Sequence, residues 1–309
     1  MEFNQISKAE WVVMSALWEE SPLSSRELIQ RLNIENKWSD TTIKTFISRL
    51  VKKGLIDFET QGRKHIFFPI FSEKKCIENE MFMIIKRVYG GTLRYSTDHF
   101  DFYGDNQTDF IKKIAIHLES NYLRVVDELN YNFDSKQSVY IYKSQARLHS
   151  ALGSENAPSW VRAGGSWGII HLAPKVAFVN DSAEKIALHV FTEIALYNIN
   201  TNIPSWLIRG AATYYGGWLS KERIANALKK NIDNINLNEL FEMKEDFISF
   251  GESFGFEVSF TIVQYIINKY GINVLSDFVR NPYQYYEFFS LSKKQFFENW
   301  LQFVKKEYL

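Results

Sequence analysis

The stretch SDTTIKTFISRLVKKG, residues 39–54, decides the fold of the N-terminal part of this 309-residue chain. Its apolar residues recur at positions i, i+3, i+4, i+7 and i+8, which is the spacing of one buried face of an α-helix. Ser39 or Asp40 supplies the start of the helix, and Gly54 supplies its stop after two lysines. The sequence therefore predicts a helix with one face in a core. The residues of that face are Ile43, Phe46, Ile47, Leu50 and Val51.

The segments on either side of residues 39–54 complete a small domain. A first helix is predicted from Ser7 to a stop at Ser21-Pro22, because its apolar residues again have helical spacing. Ser24 and Glu27 have the spacing of a capping box, which opens a second helix. Residues 55–59 and 64–69 are predicted strands around a turn at residues 60–63. Three helices followed by a β-hairpin describe a winged helix-turn-helix, which we assign to residues 1–72.

The outer face of the third predicted helix carries short hydroxyl side chains mixed with cations. Hydroxyls reach base edges and phosphates, and Lys and Arg neutralise the DNA backbone. Between residues 41 and 65 there are six cations and two anions, although the whole chain has 36 basic and 36 acidic residues. The sequence therefore predicts contact with double-stranded DNA through this helix and the tip of the hairpin. The predicted DNA-binding residues are Thr41, Thr42, Lys44, Thr45, Ser48, Arg49, Lys52, Arg63 and Lys64.

Three stretches of the first hundred residues resemble the penicillinase-repressor family (BlaI/MecI/CopY-like) of winged-helix transcription repressors. They are ISKAEWVVMSALWEESPLSSRELIQRL, WSDTTIKTFISRLVKKGLI and GRKHIFFPIFSE, at residues 6–32, 38–56 and 62–73. On the pattern alone, the polar face is also consistent with a solvated surface or with a protein-interaction module. The resemblance favours DNA, since it implies a third helix in the major groove and dimers on palindromic operators.

Residues 73–103 are predicted to form a helical connector that makes the chain a homodimer. An apolar stripe runs along a helix that otherwise carries charged residues. The sequence VYGGTLRYSTDHF, residues 88–100, is similar to the dimerisation segment of the same repressors. The alternative is that the stripe packs on its own chain. The stripe consists of Ile77, Met81, Ile84, Ile85 and Val88.

Residues 104–309 are predicted to form a separate, mostly helical α+β domain with a small sheet. Residues 139–142 and 167–172 have the composition of strands. A helix predicted over residues 182–197 is apolar nearly all round, which indicates a buried helix. Its interior polar residues need partners, and His189 and Glu193 are four residues apart on one face.

The order of these elements resembles the gluzincin-like (peptidase MA-like) metallopeptidase domains over residues 118–309. Those domains hold zinc with a His-Glu-x-x-His motif on the buried helix, in which the Glu is the general base. The resemblance keeps His189 as the first ligand and places Val190 at the general base. It places Glu193 at the second ligand, and Arg209 where the family has a third, acidic ligand.

These substitutions predict a degenerate site that consists of His189, Glu193, Arg209 and Tyr214. Valine cannot accept a proton from metal-bound water, and a guanidinium repels a dication. We therefore expect no catalytic residue, no metal, no cofactor and no enzyme activity. We further expect the Arg209 guanidinium to take the place of the metal and pair with Glu193. A cleft with aromatic walls is expected to take a peptide, a small molecule or a protein partner.

Composition bounds the remaining possibilities. The single cysteine, Cys76, excludes an internal disulfide. No apolar run is long enough for a signal peptide or a membrane span, so a cytoplasmic location is expected. The whole sequence predicts a dimeric DNA-binding repressor with an inactive, peptidase-like sensor domain. Two alternatives stay open: an active zinc-dependent metallopeptidase tethered to a DNA-binding domain, and a protein-interaction scaffold.

Overall fold

The chain divides into two units at Gly90 and Gly91. The computed structural model describes residues 5–36, 38–62, 64–179, 181–231 and 247–309. The N-terminal unit ends at Gly90, and the C-terminal unit begins at Gly91. Within the described ranges, every helix is too short or too polar to cross a lipid bilayer.

The N-terminal unit has the predicted three helices and hairpin, followed by a fourth helix. Strands β1 and β2 each pair antiparallel with β3, which makes a three-stranded sheet in the order β1-β3-β2. Strand β1 has only two residues and was not predicted. The elements are α1 (Lys8–Glu19), β1 (Leu23–Ser24), α2 (Ser25–Asn36), α3 (Asp40–Lys52), β2 (Ile56–Gln61), β3 (Lys64–Pro69) and α4 (Glu73–Tyr89).

Side-chain caps fix where these helices begin. Ser7 and Glu10 form a complete capping box at α1. Ser24 and Glu27 form the predicted one at α2, because each side chain bonds the backbone N–H of the other residue. The Ser39 hydroxyl accepts from the backbone N–H of Thr42 at the start of α3. These caps hold α3 with its apolar face in a core shared with α1, α2 and the sheet.

The buried face of helix α4 shares only Ile85 with the apolar stripe predicted to face a second copy of the chain. Cys76, Asn79, Phe82 and Ile85 are its buried residues. Ile84 and Val88 are 39% and 58% exposed. Of the predicted stripe, Ile85 is buried, Ile84 and Val88 are exposed, and Ile77 and Met81 are half-buried. The helix therefore packs on its own unit and still presents apolar side chains to solvent.

The predicted connector, residues 73–103, is divided between the two units. Helix α4 ends at Gly90, whose φ of 82° is a conformation that glycine adopts without strain. Residues 93–96 and 100–104 then form strands of the second unit. The boundary predicted at residues 103/104 therefore differs from the observed division at Gly90 and Gly91.

The C-terminal unit is a five-stranded sheet covered by helices. The strand order is β4-β5-β6-β8-β7, in which β5, β6 and β8 are parallel and the two edge strands are antiparallel to their neighbours. The first elements are β4 (Leu93–Ser96), β5 (Phe100–Gly104), α5 (Thr108–Glu128), β6 (Gln137–Ile141), α6 (Gln145–Ala151), β7 (Ala163–Ser166) and β8 (Ile169–Leu172).

Helices make up the rest of this unit. A short 3₁₀ turn at Lys175–Ala177 leads into α7 (Ala183–Ile199), α8 (Ser205–Gly216), α9 (Lys221–Asn231), α10 (Phe247–Glu252), α11 (Gly255–Tyr270), α12 (Ile272–Arg280), α13 (Tyr285–Phe289) and α14 (Lys293–Tyr308). Helix α7 is buried nearly all round, as predicted. It packs against α5, the sheet and α8, and α8 packs in turn against α11.

Candidate nucleic-acid interface and C-terminal cleft

The outer face of α3 is open to solvent, while its opposite face is held in the core. Ile43, Ile47 and Leu50 are buried. The Thr42 hydroxyl is half-buried and lies 2.8 Å from the Ser39 hydroxyl, so it contributes to the cap. The exposed residues of the predicted DNA-binding set on α3 are Thr41, Lys44, Thr45, Ser48, Arg49 and Lys52.

The cations of this face are available to an external anion. The ion pairs described for this unit join Arg31 to Glu19 and Glu20, Lys53 to Glu10, and Lys75 to Glu78. Among residues that the structure describes, Lys44, Arg49 and Lys52 are thus in no ion pair. A helix surface with unpaired cations beside hydroxyls is suited to phosphates and base edges.

Lys53 is different from its neighbour Lys52. Its Nζ atom lies 2.6 Å from a carboxylate oxygen of Glu10 and 2.7 Å from the backbone carbonyl of Gln5. Lys53 therefore neutralises a buried acid of its own unit. The exposed part of this segment therefore carries less net positive charge than a count of its charged residues suggests.

The hairpin of β2 and β3 forms the wing. Gln61 and Lys64 are paired at its end, and both are exposed. Arg63, the other predicted residue of the tip, lies outside the described residues. His65 is exposed and stacks on Phe58 with ring centroids 4.3 Å apart. It adjoins the predicted contact residues, and sequence reasoning did not select it because a lone histidine in a strand has no motif.

A cleft of about 340 Å³ opens in the C-terminal unit beside α7 and the edge strand β7. This volume lies within the range of small-molecule sites. Its aromatic walls are Trp160, Trp218, Phe247 and Phe256. The charged and titratable residues that line it are Arg162, Asp181, His189, Glu193, Arg223 and Glu252. The structure thus places two of the four predicted degenerate-site residues, His189 and Glu193, in one cleft.

His189 is held at both ring nitrogens. Its Nε2 lies 3.3 Å from Oε1 of Glu193, the predicted i, i+4 partner. The indole N–H of Trp218 donates to Nδ1 at 3.3 Å, and the Thr213 hydroxyl lies 3.4 Å from the same atom. Because an indole N–H only donates, Nδ1 must be an acceptor. This arrangement assigns the neutral tautomer with its proton on Nε2, the atom that lies 3.3 Å from the Glu193 carboxylate.

Arg209 and Tyr214 are not among the residues that line the cleft. Arg209 is buried on α8, and its guanidinium lies over the ring of Phe250 at 4.4 Å and over Phe247 at 5.3 Å. Among the ion pairs of the described residues, Glu193 pairs with His189. The expected Arg209–Glu193 ion pair is therefore wrong. Helix α8 is buried on nearly all sides, so its sequence carries no period that shows which neighbour Arg209 faces.

Two further polar or aromatic residues in the region of strands β7 and β8, His171 and Trp167, also lie outside the cleft lining. His171 is fully buried, and its nitrogens lie 2.9 Å from the Tyr142 hydroxyl and 2.9 Å from the Ser166 hydroxyl. Burial lowers the pKa of His171 to about 4, so the ring is neutral near pH 7. Trp167 is about half exposed in the turn between β7 and β8. Neither residue belongs to the lining.

The residues at His189 do not fit a zinc site of the metallopeptidase kind. The atom Nε2 lies 3.3 Å from Oε1 of Glu193, and Val190 offers no base. Arg209, which the sequence resemblance predicts at the position of a third ligand, stacks on Phe250. In the part of the chain that the structure describes, no group of three or more His, Cys, Asp or Glu side chains is placed to hold a metal ion.

Comparison with known proteins supports the interpretation of the first unit. Residues 6–110 match the family model of the penicillinase repressor. The chain is 37% identical over 89 residues to the penicillinase repressor of Bacillus licheniformis, covering 29% of this chain and 70% of that protein. It is 32% identical over 87 residues to the methicillin resistance regulatory protein MecI of Staphylococcus aureus strain N315, covering 28% and 71%. The solution structure of the DNA binding domain of the repressor BlaI is 36% identical, covers 24% of this chain and 90% of that chain, and has a TM-score of 0.23.

Proposed function

We propose that this chain, which belongs to the penicillinase repressor family, is a dimeric repressor that binds operator DNA with α3 and the wing and adjusts that binding through its C-terminal unit. The N-terminal unit supplies the DNA contacts. The C-terminal unit has no catalytic role in this proposal and senses a ligand, a peptide or a protein partner in its cleft.

The outer face of α3 is the observation that carries DNA binding. Lys44, Arg49 and Lys52 are exposed on one helix and are in no ion pair with described residues. Thr41, Thr45 and Ser48 add short polar groups to the same exposed part of the helix. A helix inserted in the major groove would bring these hydroxyls to base edges and the cations to phosphates on either side.

The outer face of α4 supports the proposed homodimer. Ile84 and Val88 are exposed one turn apart, and Ile77 and Met81 continue the same face towards the start of the helix. Exposed apolar side chains in a row on one helix are typical of a surface that another chain covers. A two-fold dimer would present two copies of α3 to the half-sites of a palindromic operator.

The cleft supports the proposed sensor role. Its walls are aromatic, its floor carries the His189–Glu193 pair, and the general-base position is Val190. Such a cleft can bind without turning over its ligand. A repressor also needs an input that changes its affinity for DNA, and occupancy of this cleft is the proposed input.

Selection of bound duplexes from a random library, followed by anisotropy titration, tests the DNA-binding part. Lys44→Ala and Arg49→Ala are expected to weaken binding to the selected duplex at least tenfold, while the circular dichroism spectrum stays unchanged. Lys306→Ala, an exposed lysine of α14, is the matched control and should bind like the parent chain. Equal affinity for all duplexes in every variant would contradict the proposal.

A further inference from the structure

Most charged side chains around the cleft form ion pairs, and two carboxylates have no cation as a partner among the described residues. The guanidinium of Arg162 pairs with Asp181, and that of Arg223 pairs with Glu257 at 2.8 Å. Glu193 has only His189 as a partner among the described residues, and the exposed Glu252 forms no ion pair with them. Both arginines of the cleft are thus already engaged, and Glu193 has no described cation beside it.

The side chain of Glu193 lies in an unfavourable place for a negative charge. Its side chain is 14% exposed and lines the cleft. Its partner at 3.3 Å is the neutral imidazole fixed by the Trp218 donor, which supplies no charge. A carboxylate that is mostly removed from water is costly unless a cation compensates it. The cleft therefore offers a cationic ligand a fixed, directed partner.

The walls of the cleft suit the same kind of ligand. Trp218 and Phe256 have ring centroids 5.6 Å apart, and His189 meets both rings edge-on. Trp160 and Phe247, with centroids 5.5 Å apart, continue this aromatic lining, since the Phe247 ring centroid is 5.7 Å from that of Phe256. Aromatic faces attract ammonium groups and cover apolar bodies, while they give an anion nothing in return. The guanidinium groups of Arg223 and Arg209 already lie over Trp218 and Phe247, at 5.0 and 5.3 Å. Trp160 and Phe256 are therefore the rings that we expect to receive the ligand.

We propose that the cleft binds an organic ammonium ion on an apolar or aromatic body, with Glu193 as the residue that pairs with the ammonium. The inference rests on the proposed ligand-binding role of the C-terminal unit, and it names the chemical class of the ligand. The shared chemistry is a primary amine, which comes either from a small amine or from the N-terminus of a peptide.

The space beyond the cleft distinguishes these two sources. A second depression of about 450 Å³ shares Arg223 and Gly251 with the cleft and continues past α9. Gly251 lets the Trp160 ring pack closely on its backbone, because a Cβ there would lie 2.7 Å from that ring. A peptide that starts at Glu193 would have room to run along this depression, whereas a small amine would fill the cleft alone.

Calorimetric titration of the full chain with charge-matched probes tests the inference. Phenethylamine is expected to bind at least tenfold more tightly than its neutral analogue 2-phenylethanol, and 3-phenylpropanoate is expected to bind most weakly. The tetrapeptide amide Phe-Ala-Ala-Ala and its N-acetylated form test the peptide source. Tighter binding of the free tetrapeptide than of phenethylamine assigns a peptide N-terminus, and the reverse assigns a small amine.

The matched variants are Glu193→Gln and Glu298→Gln. Glu193→Gln is expected to abolish the tenfold preference for the amine and to leave the affinity for 2-phenylethanol within twofold. Glu298 is an exposed residue of α14, so its variant should keep the preference. The comparison of amine and alcohol on the parent chain stands even if Glu193→Gln folds poorly.

Three results would overturn the inference. They are equal binding of the amine and the alcohol, tighter binding of the carboxylate, and an unchanged preference in Glu193→Gln.

The anisotropy titration of operator DNA in the same preparations separates this failure from that of the proposed function. A chain that binds operator, and releases it with a neutral or anionic ligand, contradicts the ammonium site and keeps the sensor role. Absence of binding by every probe at millimolar concentration contradicts the inference as well.

Discussion

Lys53 and Glu10 join the end of α3 to the start of α1, with Nζ 2.6 Å from Oε2. The Glu10 side chain is 2% exposed. Burial by itself raises the pKa of Glu10, but hydrogen bonds from Lys53 and Ser7 outweigh it and leave the pKa below its ordinary value. The ion pair therefore fixes the orientation of the proposed recognition helix on the rest of its unit.

Lys53→Met should destabilise the N-terminal unit by about 3 kcal/mol, because it leaves the Glu10 carboxylate buried without its cation. The double variant Glu10→Gln, Lys53→Met should be more stable than Lys53→Met alone, since it removes the stranded charge. Hydrogen exchange of α1 and α3, followed by mass spectrometry in the full chain, measures the loss of protection. Equal exchange in the single variant and the parent chain would show that the pair has no stabilising role.

Lys52→Met, one residue before Lys53, should affect DNA binding and leave stability unchanged. Lys52 is exposed and in no ion pair with described residues, so its removal should leave stability unchanged. It should reduce the slope of log affinity against log salt by about 0.9, the value for one phosphate contact. Lys53→Met, in molecules that remain folded, should leave the slope unchanged. The same loss of slope in both variants would mean that the surface assignment of these two lysines is incorrect.

Ile84→Asp and Val88→Asp should convert the proposed dimer into a monomer, since each places a charge on the exposed apolar face of α4. Sedimentation velocity at micromolar concentration measures the change. Ile34→Asp is a suitable control, because Ile34 is also exposed but lies on α2. A parent chain that sediments as a monomer would remove the dimer from the proposal.

Gly210→Ala should destabilise the C-terminal unit. A Cβ at this position would lie 2.5 Å from the backbone carbonyl oxygen of Ser259, where α8 and α11 pack most closely. Two buried helix backbones cannot both move without loss of packing, so a cost of about 1–3 kcal/mol is expected. Calorimetry should show a lower transition temperature for this unit, and an unchanged temperature would contradict the close contact.

The N-terminal unit was predictable because its signals are local. Caps at Ser7, Ser24 and Ser39 and a regular apolar period set the limits of three helices within a few residues. Strand β1 was missed since two residues carry no alternation. The role of Lys53 was missed for another reason: its partner Glu10 is 43 residues away, and composition does not show which lysine of a pair turns inward.

For the C-terminal unit, the sequence predicted the kinds of secondary structure better than the side-chain contacts. The buried helix α7 and the His189–Glu193 pair were predicted, because the i, i+4 spacing brings two side chains together on any helix. The side chains that Arg209 contacts were not predicted. Helix α8 is buried on nearly all sides, so packing alone decides which way each of its residues faces. Strands β4 and β5 were placed in a connector because they are short and carry several polar residues.

His171 should make the C-terminal unit sensitive to mild acid. The pKa of this buried histidine is lowered from 6.5 to about 4, since burial disfavours the imidazolium. The unfolded chain therefore binds a proton between those values and the folded chain does not, so stability is fully present above pH 6.5 and falls as the pH drops. Between pH 6.5 and 5 the loss should be about 2 kcal/mol.

Urea unfolding of the full chain at a series of pH values, with hydrogen exchange of β6 and β8 as the local probe, measures this loss. The Glu119 and Glu184 carboxyls of the same unit, with pKa values below the ordinary value, titrate lower and contribute little above pH 5. His171→Gln keeps a polar side chain between Tyr142 and Ser166 but cannot take up a proton, so it should flatten most of the slope even where it is less stable overall. His65→Gln, on the exposed wing, should keep the slope of the parent chain. An equal slope in His171→Gln would mean that another group senses the acid.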